Sequence, residues 1–462
     1  MLAMLHTLLA SAPEVAPDVS TSTAQYWIAA TIFVGVYVLI ISEKIEKTKA
    51  ALLGAALTIG LGLMTQTEAF YSERLGIDYN VVFLLISMMI IVNITGRSGV
   101  FEWAAIKIAK AARGQPARIV AFFVIATAVT SAFLDNVTTV LLVAPVTLMI
   151  AEKLDIDPVP LLVLEALSSN IGGTATLIGD PPNIMIGSKI GLSFGAFMVH
   201  LAPVVLVMLA AMVLATHVFY GKRLRVDEQK RREVLAIDEN TLIRDRRLMK
   251  KSLIVTGLTV LGFLLHSALH IEPATIALCG AITLMTVSGI DAHKTLHEVE
   301  WTSIFFFIGL FIVVGGIVKV GIVEDLSRIV INLTNPTKDD MLVTSMVMLW
   351  FSGITSGIID NIPYVATMIP LISEMGYTVL GDGTVREILH DPVLMPVWWS
   401  LALGACLGGN MTPIGASANV VVLGIAKKAG HHVSFLRFMA AGVPITLVTL
   451  VISTIYVYLR YY

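Results

Sequence analysis

The sequence contains two matching segments in which an Asp-Asn pair interrupts an apolar run. Residues 131–145 read SAFLDNVTTVLLVAP, and residues 356–370 read SGIIDNIPYVATMIP. The two Asp-Asn pairs, 135–136 and 360–361, are separated by 225 residues (360 − 135 = 225). A charged side chain at membrane depth is costly, so such residues usually face the protein interior or an aqueous path. Two matching copies therefore predict a functional site inside a membrane.

The composition favours a polytopic membrane protein. Of the 462 residues, 56% are hydrophobic and 14% are charged, and the mean hydropathy is +0.85. Soluble domains contain about 25% charged residues. The net charge of −2 does not indicate a nucleic-acid partner, and Cys279 and Cys406 lack the spacing of a disulfide framework or a thiolate metal site. We expect no metal site and no cofactor.

The apolar runs predict an all-α membrane protein with two repeats of about five spans each, since about 20 apolar residues cross a bilayer. The expected spans are 26–42, 50–64, 80–96, 160–183, 201–220, 253–267, 273–290, 302–318, 393–426 and 438–459. Of these, 160–183 and 393–426 are interrupted. The segments 119–150 and 341–374 predict re-entrant helical hairpins, each of which enters and leaves on one side.

Basic residues in the loops predict the orientation. The loop 221–251 has eleven basic and six acidic residues, and the loops 97–118 and 427–437 are also basic, so all three are expected in the cytoplasm. This topology inverts the second repeat relative to the first, in the cytoplasmic membrane, with the N-terminus outside. The predicted parts are an outer tail or signal peptide (1–25), the first repeat (26–220), a cytoplasmic linker (221–251) and the second repeat (252–462).

A second pair of matching segments is rich in glycine. Residues 172–183 read GGTATLIGDPPN, and residues 408–419 read GGNMTPIGASAN. Glycine and proline weaken helices, and a broken helix at membrane depth is tolerated where protein or a water-lined cavity satisfies its backbone. Interrupted segments at matching positions in two halves point to the binding site of a transporter. The residues expected to break the helices are Gly172, Gly173, Gly179, Pro181, Pro182, Gly408, Gly409 and Gly415.

From about residue 26 onwards, the chain resembles the ion transporter superfamily, in particular the ArsB/NhaD permease group, which includes arsenite permeases, P protein-like and citrate transporter-like members. The resemblance rests on DNVTT, GGTATLIGDPPN, DNIPYVATMIP and GGNMTPIGASANV. It implies a secondary transporter with a transport domain beside a scaffold domain, a homodimer and an elevator movement. Arsenite permeases of this group work alone or with a separate ATPase subunit, and this sequence has no GxxxxGK[ST] motif of its own.

The resemblance also implies which residues bind substrate and ion. The sodium-coupled dicarboxylate branch has Ser-Asn-Thr at the hairpin tips, whereas this chain has Asp in place of Ser at both. An ionised Asp would repel a carboxylate, and it suits a cation, a proton or a neutral hydroxylated molecule such as arsenous acid. The expected site residues are Asp135, Asn136, Thr138, Thr174, Thr176, Asp180, Asn183, Asp360, Asn361, Asn410, Thr412 and Asn419.

Three acids are candidates for proton coupling: Asp135, Asp360 and Glu165. A low dielectric raises the pKa of a carboxyl group and a bound cation lowers it, so protonation and substrate binding would compete. Glu165 lies in the apolar run LLVLEALSSN, where it could instead hydrogen-bond a neighbouring span. The pair Trp398-Trp399 starts a span and is expected at the membrane interface.

Three functions are compatible with these features. The first is a proton-coupled efflux permease for arsenite and antimonite. The second is a sodium/proton antiporter, because the paired acids fit it almost equally well. The third is an anion channel-like permease, as the resemblance to P protein suggests. The coupling ion would be H+, Na+ or both. We do not expect an enzyme, because no nucleophile–base pair or metal constellation can be identified in the sequence.

Overall fold

The computed structural model describes residues 22–42, 44–220, 226–381 and 383–462, and every regular element in these ranges is helical. The all-α fold class is thereby confirmed. Most of the predicted tail or signal peptide (residues 1–21) and the first part of the linker (residues 221–225) lie outside the described residues.

The described part of the first half contains ten helices. They are α1 (Thr23–Ser42), α2 (Lys47–Gly60), α3 (Gln66–Tyr71), α4 (Tyr79–Arg97), α5 (Val100–Ala111), α6 (Pro116–Phe133), α7 (Asn136–Leu154), α8 (Val159–Gly173), α9 (Pro181–Ile190) and α10 (Phe194–Tyr220).

The second half follows a short helical connection. The connection contains α11 (Glu228–Ala236) and a 3-10 turn (Glu239–Leu242). The helices after it are α12 (Arg246–Leu269), α13 (Pro273–Ser288), α14 (Ala292–His297), α15 (Trp301–Lys319), α16 (Ile322–Thr334), α17 (Leu342–Ile358), α18 (Asn361–Leu380), α19 (Val385–Leu389), α20 (Met395–Gly408), α21 (Ser417–Lys428) and α22 (Phe435–Tyr461).

Seven helices in the described ranges are long and apolar enough to cross a membrane: α1, α4, α7, α10, α12, α15 and α22. The closest helix–helix contacts fall into two groups. Helix α2 packs on α15, and α4 packs on α13, whereas α6 packs on α8, and α17 packs on α20. The second group carries the hairpins and the broken helices.

Both Asp-Asn pairs lie at a sharp turn between two helices, as the sequence predicts. Asp135 is the N-cap of α7, and its carboxylate accepts the backbone N–H of Thr138 at 2.9 Å. Asp360 is the N-cap of α18 and accepts the N–H of Ile362 at 3.1 Å. Aspartate is favoured here because its side chain accepts a hydrogen bond from a backbone donor that the helix itself leaves unpaired.

The two glycine-rich segments interrupt helices where predicted. Helix α8 ends at Gly173, and α9 begins with two prolines, which the first turn of a helix tolerates. In the second half, α20 ends at Gly408, and α21 begins at Ser417. Close packing also requires glycine at these helix ends, because a Cβ atom on Gly408 would lie 2.4 Å from the carbonyl oxygen of Gly353. A Cβ atom on Gly172 would approach Ala128 in the same way, at 2.1 Å.

The described part of the linker packs against the first repeat. Val234 of α11 is fully buried in a small apolar cluster with Ile106 of α5 and Ile150 of α7. Glu239 accepts a hydrogen bond from Lys110 at 2.5 Å. The connection between the halves is therefore attached to α5 and to the base of the first hairpin.

The predicted interfacial position of Trp398 and Trp399 is wrong. Both indoles are fully buried in α20, which packs between α17, α8 and α22. Trp399 stacks on His200, with ring centroids 4.8 Å apart, and contacts Phe197 edge-on at 5.2 Å. An aromatic pair at the start of an apolar run does not by itself indicate depth, because packing against other helices can bury it entirely.

Candidate functional site

Each hairpin is fastened to the broken helix of its own half by two hydroxyl groups. In the first half, Ser131 donates to the carbonyl of Ser169 at 2.7 Å, and Thr176 donates to the carbonyl of Ala132. The second half repeats both contacts, from Ser356 to Ala405 (2.6 Å) and from Thr412 to Gly357 (2.6 Å). The predicted site residues Thr176 and Thr412 thus connect backbone segments.

Two asparagines stabilise the broken segments. The side-chain amide of Asn183 donates to the carbonyls of Thr174 (3.1 Å) and Thr176 (2.9 Å). Asn419 does the same for Gly409 (2.8 Å) and Thr412 (2.9 Å). The hydroxyl of Thr174 donates to the carbonyl of Asn170 in its own helix at 2.8 Å. Side chains of the protein therefore satisfy backbone carbonyls of the broken segments.

Asp180 is the meeting point of the two hairpin tips. Asn136 donates to its Oδ1 at 3.1 Å, and Asn361 donates to both of its carboxylate oxygens at 3.4 Å. All three side chains are buried. The structure thus brings together one predicted residue from each hairpin and one from the first broken segment.

Asn170 extends this centre and was not among the residues expected from the sequence. It accepts a hydrogen bond from Asn136 at 3.0 Å and donates to Asn410 at 2.8 Å and to Asn419 at 3.2 Å. The available signal was an amide inside the apolar run before the first break. We call Asn136, Asn170, Asp180, Asn361, Asn410 and Asn419 the central network.

A cavity of about 310 Å³ lies beside the second hairpin tip. Its walls are largely apolar, from the ends of α1 and α17 and from α21, and its polar side chains are Glu46, Lys47, Glu300, Ser303, Asp360 and Ser417. The two neighbouring residues at this tip have different surroundings, because Asp360 lines this cavity and Asn361 donates to Asp180. The cavity therefore adjoins the central network.

Lys47 forms an ion pair in this cavity that the sequence did not reveal. Its ammonium group lies 2.8 Å from Asp360 Oδ2 and donates at 2.8 Å to Ser417 Oγ. Ser417 in turn donates to Asp360 Oδ2 at 3.2 Å. In the sequence, Lys47 is indistinguishable from a lysine at the end of a loop. The contact spans 313 residues of chain.

The first hairpin tip is different. Besides the backbone N–H of Thr138, the carboxylate of Asp135 accepts the hydroxyl of the same residue. Thr138, a predicted site residue, therefore binds Asp135 directly. The two Asp residues occupy equivalent caps but have different partners, a local hydroxyl in the first half and a distant ammonium in the second.

Glu165 is fully buried but hydrogen-bonds outside the central network. The hydroxyl of Thr147 donates to its Oε1, and its Oε2 has no hydrogen-bond partner among the described residues. The structure thus shows the alternative expected for Glu165, a hydrogen bond to a neighbouring helix. An unpartnered carboxyl oxygen in an apolar interior favours the neutral, protonated acid.

The cavity lies toward one face of the protein. On this face Arg97, at the end of α4, forms an ion pair of 2.7 Å with Glu298, just before the cavity residue Glu300. A smaller cavity of about 60 Å³, lined by Arg74 and Lys189 among others, lies near the other ends of these helices. The larger of these two cavities therefore lies on the face of Lys47 and Arg97.

An all-helical protein with several membrane-spanning helices, and with hairpin tips and broken helices around buried polar groups, has the architecture of an integral membrane transporter. The comparisons with known proteins agree. The family model described as a citrate transporter (CitMHS) matches residues 37–404. The chain belongs to this family and is a secondary transporter of the CitMHS/P protein type.

Similar proteins are found in mycobacteria and in mammals. The chain is 47% identical to the uncharacterized transporter Rv2684 of Mycobacterium tuberculosis over 435 residues, which cover 94% of this chain and 98% of that protein. It is 44% identical to the 46 kDa membrane protein of Mycobacterium leprae, with 94% and 98% coverage. The P protein of Homo sapiens is 32% identical and also covers 94% of this chain, which spans 59% of P protein.

A solved structure supports the fold. The YdaH transporter of Alcanivorax borkumensis aligns with a TM-score of 0.56 and 13% sequence identity, covering 93% of this chain and 97% of that chain. At this identity the similarity concerns the fold alone.

Proposed function

We propose that this transporter is a proton-coupled efflux permease for arsenite and antimonite. The observation that carries the proposal is the position of Asp180, whose carboxylate is buried and receives hydrogen bonds from the uncharged amides of Asn136 and Asn361. A carboxylate taken out of water without an ionic partner is strongly destabilised. A proton on Asp180 removes this cost, so the centre of the transporter is suited to hold one.

Asp360 supplies a second position for the proton, at the edge of the cavity. Protonation of Asp360 would cancel its attraction to Lys47 and release the hairpin tip from α2. For efflux by exchange, Asp360 would take up the proton while it faces the outside and would move inward with the hairpins and broken helices against α2 and α15. It would then lose the proton on the cytoplasmic side, where the ion pair with Lys47 forms again. The proposal includes the elevator movement and the homodimer that the family resemblance implies.

The cavity favours a neutral cargo. The cavity lining contains an ammonium, a carboxylate and a hydroxyl group, from Lys47, Asp360 and Ser417. These groups can donate hydrogen bonds to the hydroxyl groups of arsenous acid and accept hydrogen bonds from them. Glu46 and Glu300 add negative charge to the lining, which opposes a free citrate or other carboxylate anion. In the predicted topology, the face with the cavity is cytoplasmic, so the cargo enters from inside.

The test uses purified full-length protein in liposomes, with a pH-sensitive dye inside and an imposed proton gradient. Arsenite, antimonite, sodium, lithium, citrate and chloride are added one at a time. The proposal expects dye signals with arsenite and antimonite only, and none in liposomes without protein. No signal with either metalloid overturns it.

The same experiment separates the alternatives. Proton movement triggered by sodium or lithium alone identifies a sodium/proton antiporter, which the paired acids at the hairpin tips support. Flux that follows the gradient of chloride and ignores an imposed pH step identifies an anion channel-like permease, the third function expected from the sequence.

A further inference from the structure

Lys47 occupies the position that a free cation would take beside Asp360. Its ammonium lies 2.8 Å from both a carboxylate oxygen of Asp360 and the hydroxyl of Ser417. Hard cations such as Na+ prefer oxygen ligands of these two kinds. The cavity residues Glu46 and Glu300 add two further carboxylates near the same space. Without Lys47, this end of the cavity would be an acidic pocket next to water.

The ammonium group is held in place by more than the ion pair. Lys47 lies over the ring of Phe306, with the nitrogen 5.0 Å from the ring centroid, a favourable cation–π distance. Phe306 is fully buried in α15, and Lys47 is the first residue of α2, which packs on α15. Helices α2 and α15, which do not belong to the hairpins, thus hold the positive charge of Lys47 beside Asp360.

We infer that Lys47 excludes sodium and lithium from Asp360 and reserves this carboxylate for protons. A proton and a metal ion differ in how they compete with the Lys47 ammonium for the carboxylate of Asp360. The proton binds the carboxylate covalently and needs no coordination space, whereas Na+ needs several oxygen ligands around it and meets the positive charge of Lys47. Lys47 is therefore a specificity-determining residue for the coupling ion. The inference deepens the proposed function, because it concerns the same cavity.

The central variant is Lys47→Ala, which removes the ammonium and leaves Asp360, Ser417, Glu46 and Glu300 in place. Purified protein in detergent is titrated with NaCl and LiCl against choline chloride at constant ionic strength, and its melting temperature is measured. A ligand that binds only the folded state raises stability with the logarithm of its concentration. We expect such a rise for Lys47→Ala and none for the wild-type protein.

Matched variants identify the site. Lys47→Arg keeps a positive charge, so it should remain unresponsive to sodium and lithium. Lys49→Ala removes an exposed lysine two residues further along α2 that pairs with Glu46, and it should behave as the wild type. In the double variant Lys47→Ala/Asp360→Asn, the response should disappear. Size-exclusion profiles identify any variant that fails to fold, and Lys47→Gln then replaces Lys47→Ala as the uncharged variant.

Three outcomes overturn the inference: an equal sodium response in wild type and Lys47→Ala, no response in any folded variant without the charge, or a response that survives in the double variant. The melting experiment contains no metalloid and no transport step. If wild-type liposomes fail to move protons with arsenite or antimonite while Lys47→Ala gains sodium binding, the proposed function fails and the inference stands. If metalloid transport is found without the gain of sodium binding, the reverse holds.

Discussion

Asn361 of the second hairpin donates to both carboxylate oxygens of Asp180 in the first broken segment, at 3.4 Å. The two residues are 181 positions apart in the chain. Since Asn136 of the first hairpin reaches the same carboxylate, the centre of the protein is assembled from both halves and neither half contains it alone. The position equivalent to Asp180 in the second half is Ala416 (180 + 236 = 416). The second glycine-rich segment therefore has no carboxylate at this position.

The first prediction concerns this carboxylate. Asp180→Asn keeps the size of the side chain and removes the group that we propose to carry a proton. We expect proton-coupled metalloid flux in liposomes to fall to the level of protein-free liposomes, while the size-exclusion profile is unchanged. Glu152→Gln, an exposed acid on α7, should transport as the wild type does. Full proton-coupled flux in Asp180→Asn would contradict the assignment.

A second prediction concerns Asn170, which joins the two broken helices. Asn170→Ala leaves the buried oxygens of Asn410 and Asn419 without its donor at 2.8 and 3.2 Å. An unsatisfied buried polar group costs about 1–3 kcal/mol, so we expect a lower melting temperature of the purified protein. Asn80→Ala, at an exposed position near the start of α4, should change it little. Equal melting temperatures for the two variants would show that the Asn170 contacts add no stability.

A third prediction separates close packing from helix breaking at the glycines. In Gly408→Ala, the new methyl group would lie 2.4 Å from the carbonyl of Gly353, and overpacking of this kind costs about 1–3 kcal/mol. Gly424→Ala places a methyl group where nothing lies within 4 Å, in the exposed middle of α21, where Ala is better than Gly by about 1 kcal/mol. Melting temperatures should therefore fall for the first variant and hold or rise for the second. A fall of the same size in both would refute the packing argument.

The repeated parts of the fold could be predicted from the sequence, because each copy supports the other. The Asp-Asn pairs predicted the hairpin turns, and Gly173 and Gly408 mark the ends of the interrupted helices. The hydrogen bonds of matching polar residues could be predicted for the same reason. Asn183 and Asn419 make equivalent contacts in the two halves, as their matching positions suggest.

Asp180 was expected although it is not repeated, but other contacts of unrepeated residues could not be predicted. Lys47 has no counterpart that would mark it, and its contact with Asp360 depends on the packing of α2 against α15 and the second hairpin. Asn170 takes the position that Cys406 holds in the other half (170 + 236 = 406), so a comparison of the copies does not single it out. The burial of Trp399 depends on contacts with Phe197 and His200 in another helix, which a local pattern does not contain.

A fourth prediction concerns pH and a residue outside the spans. Glu68 in α3 loses some solvent by burial, which raises its pKa, but the ammonium of Lys319 at 2.8 Å and hydrogen bonds from Thr65 lower the pKa below its ordinary value of 4.5. A carboxyl whose pKa is lower in the folded state adds stability above its unfolded pKa and loses it as the pH falls through the folded pKa. Glu68→Gln should therefore lower the melting temperature at pH 7.

The difference between Glu68→Gln and the wild type should disappear when the pH falls well below 4.5, because the wild-type carboxyl is then also neutral. Glu73→Gln, an exposed acid in the loop that follows α3, serves as the control and should track the wild type at both pH values. A destabilisation by Glu68→Gln that is equally large in acid would show that lost packing or capping, and not the charge, is responsible.

The fifth prediction concerns orientation, on which the direction of transport depends. Single cysteines are introduced at Glu233 in α11 and at Gly383 between α18 and α19, both exposed, in a Cys279→Ser background. Cys406 can remain, because it is fully buried and reacts poorly with a maleimide reagent. In intact cells, an impermeant maleimide should label Gly383→Cys at once and Glu233→Cys only after the membrane is permeabilised. The opposite pattern would place the cavity of Lys47 and Asp360 on the outer face. A carrier in that state would receive its cargo from the medium, which would contradict the efflux that we propose.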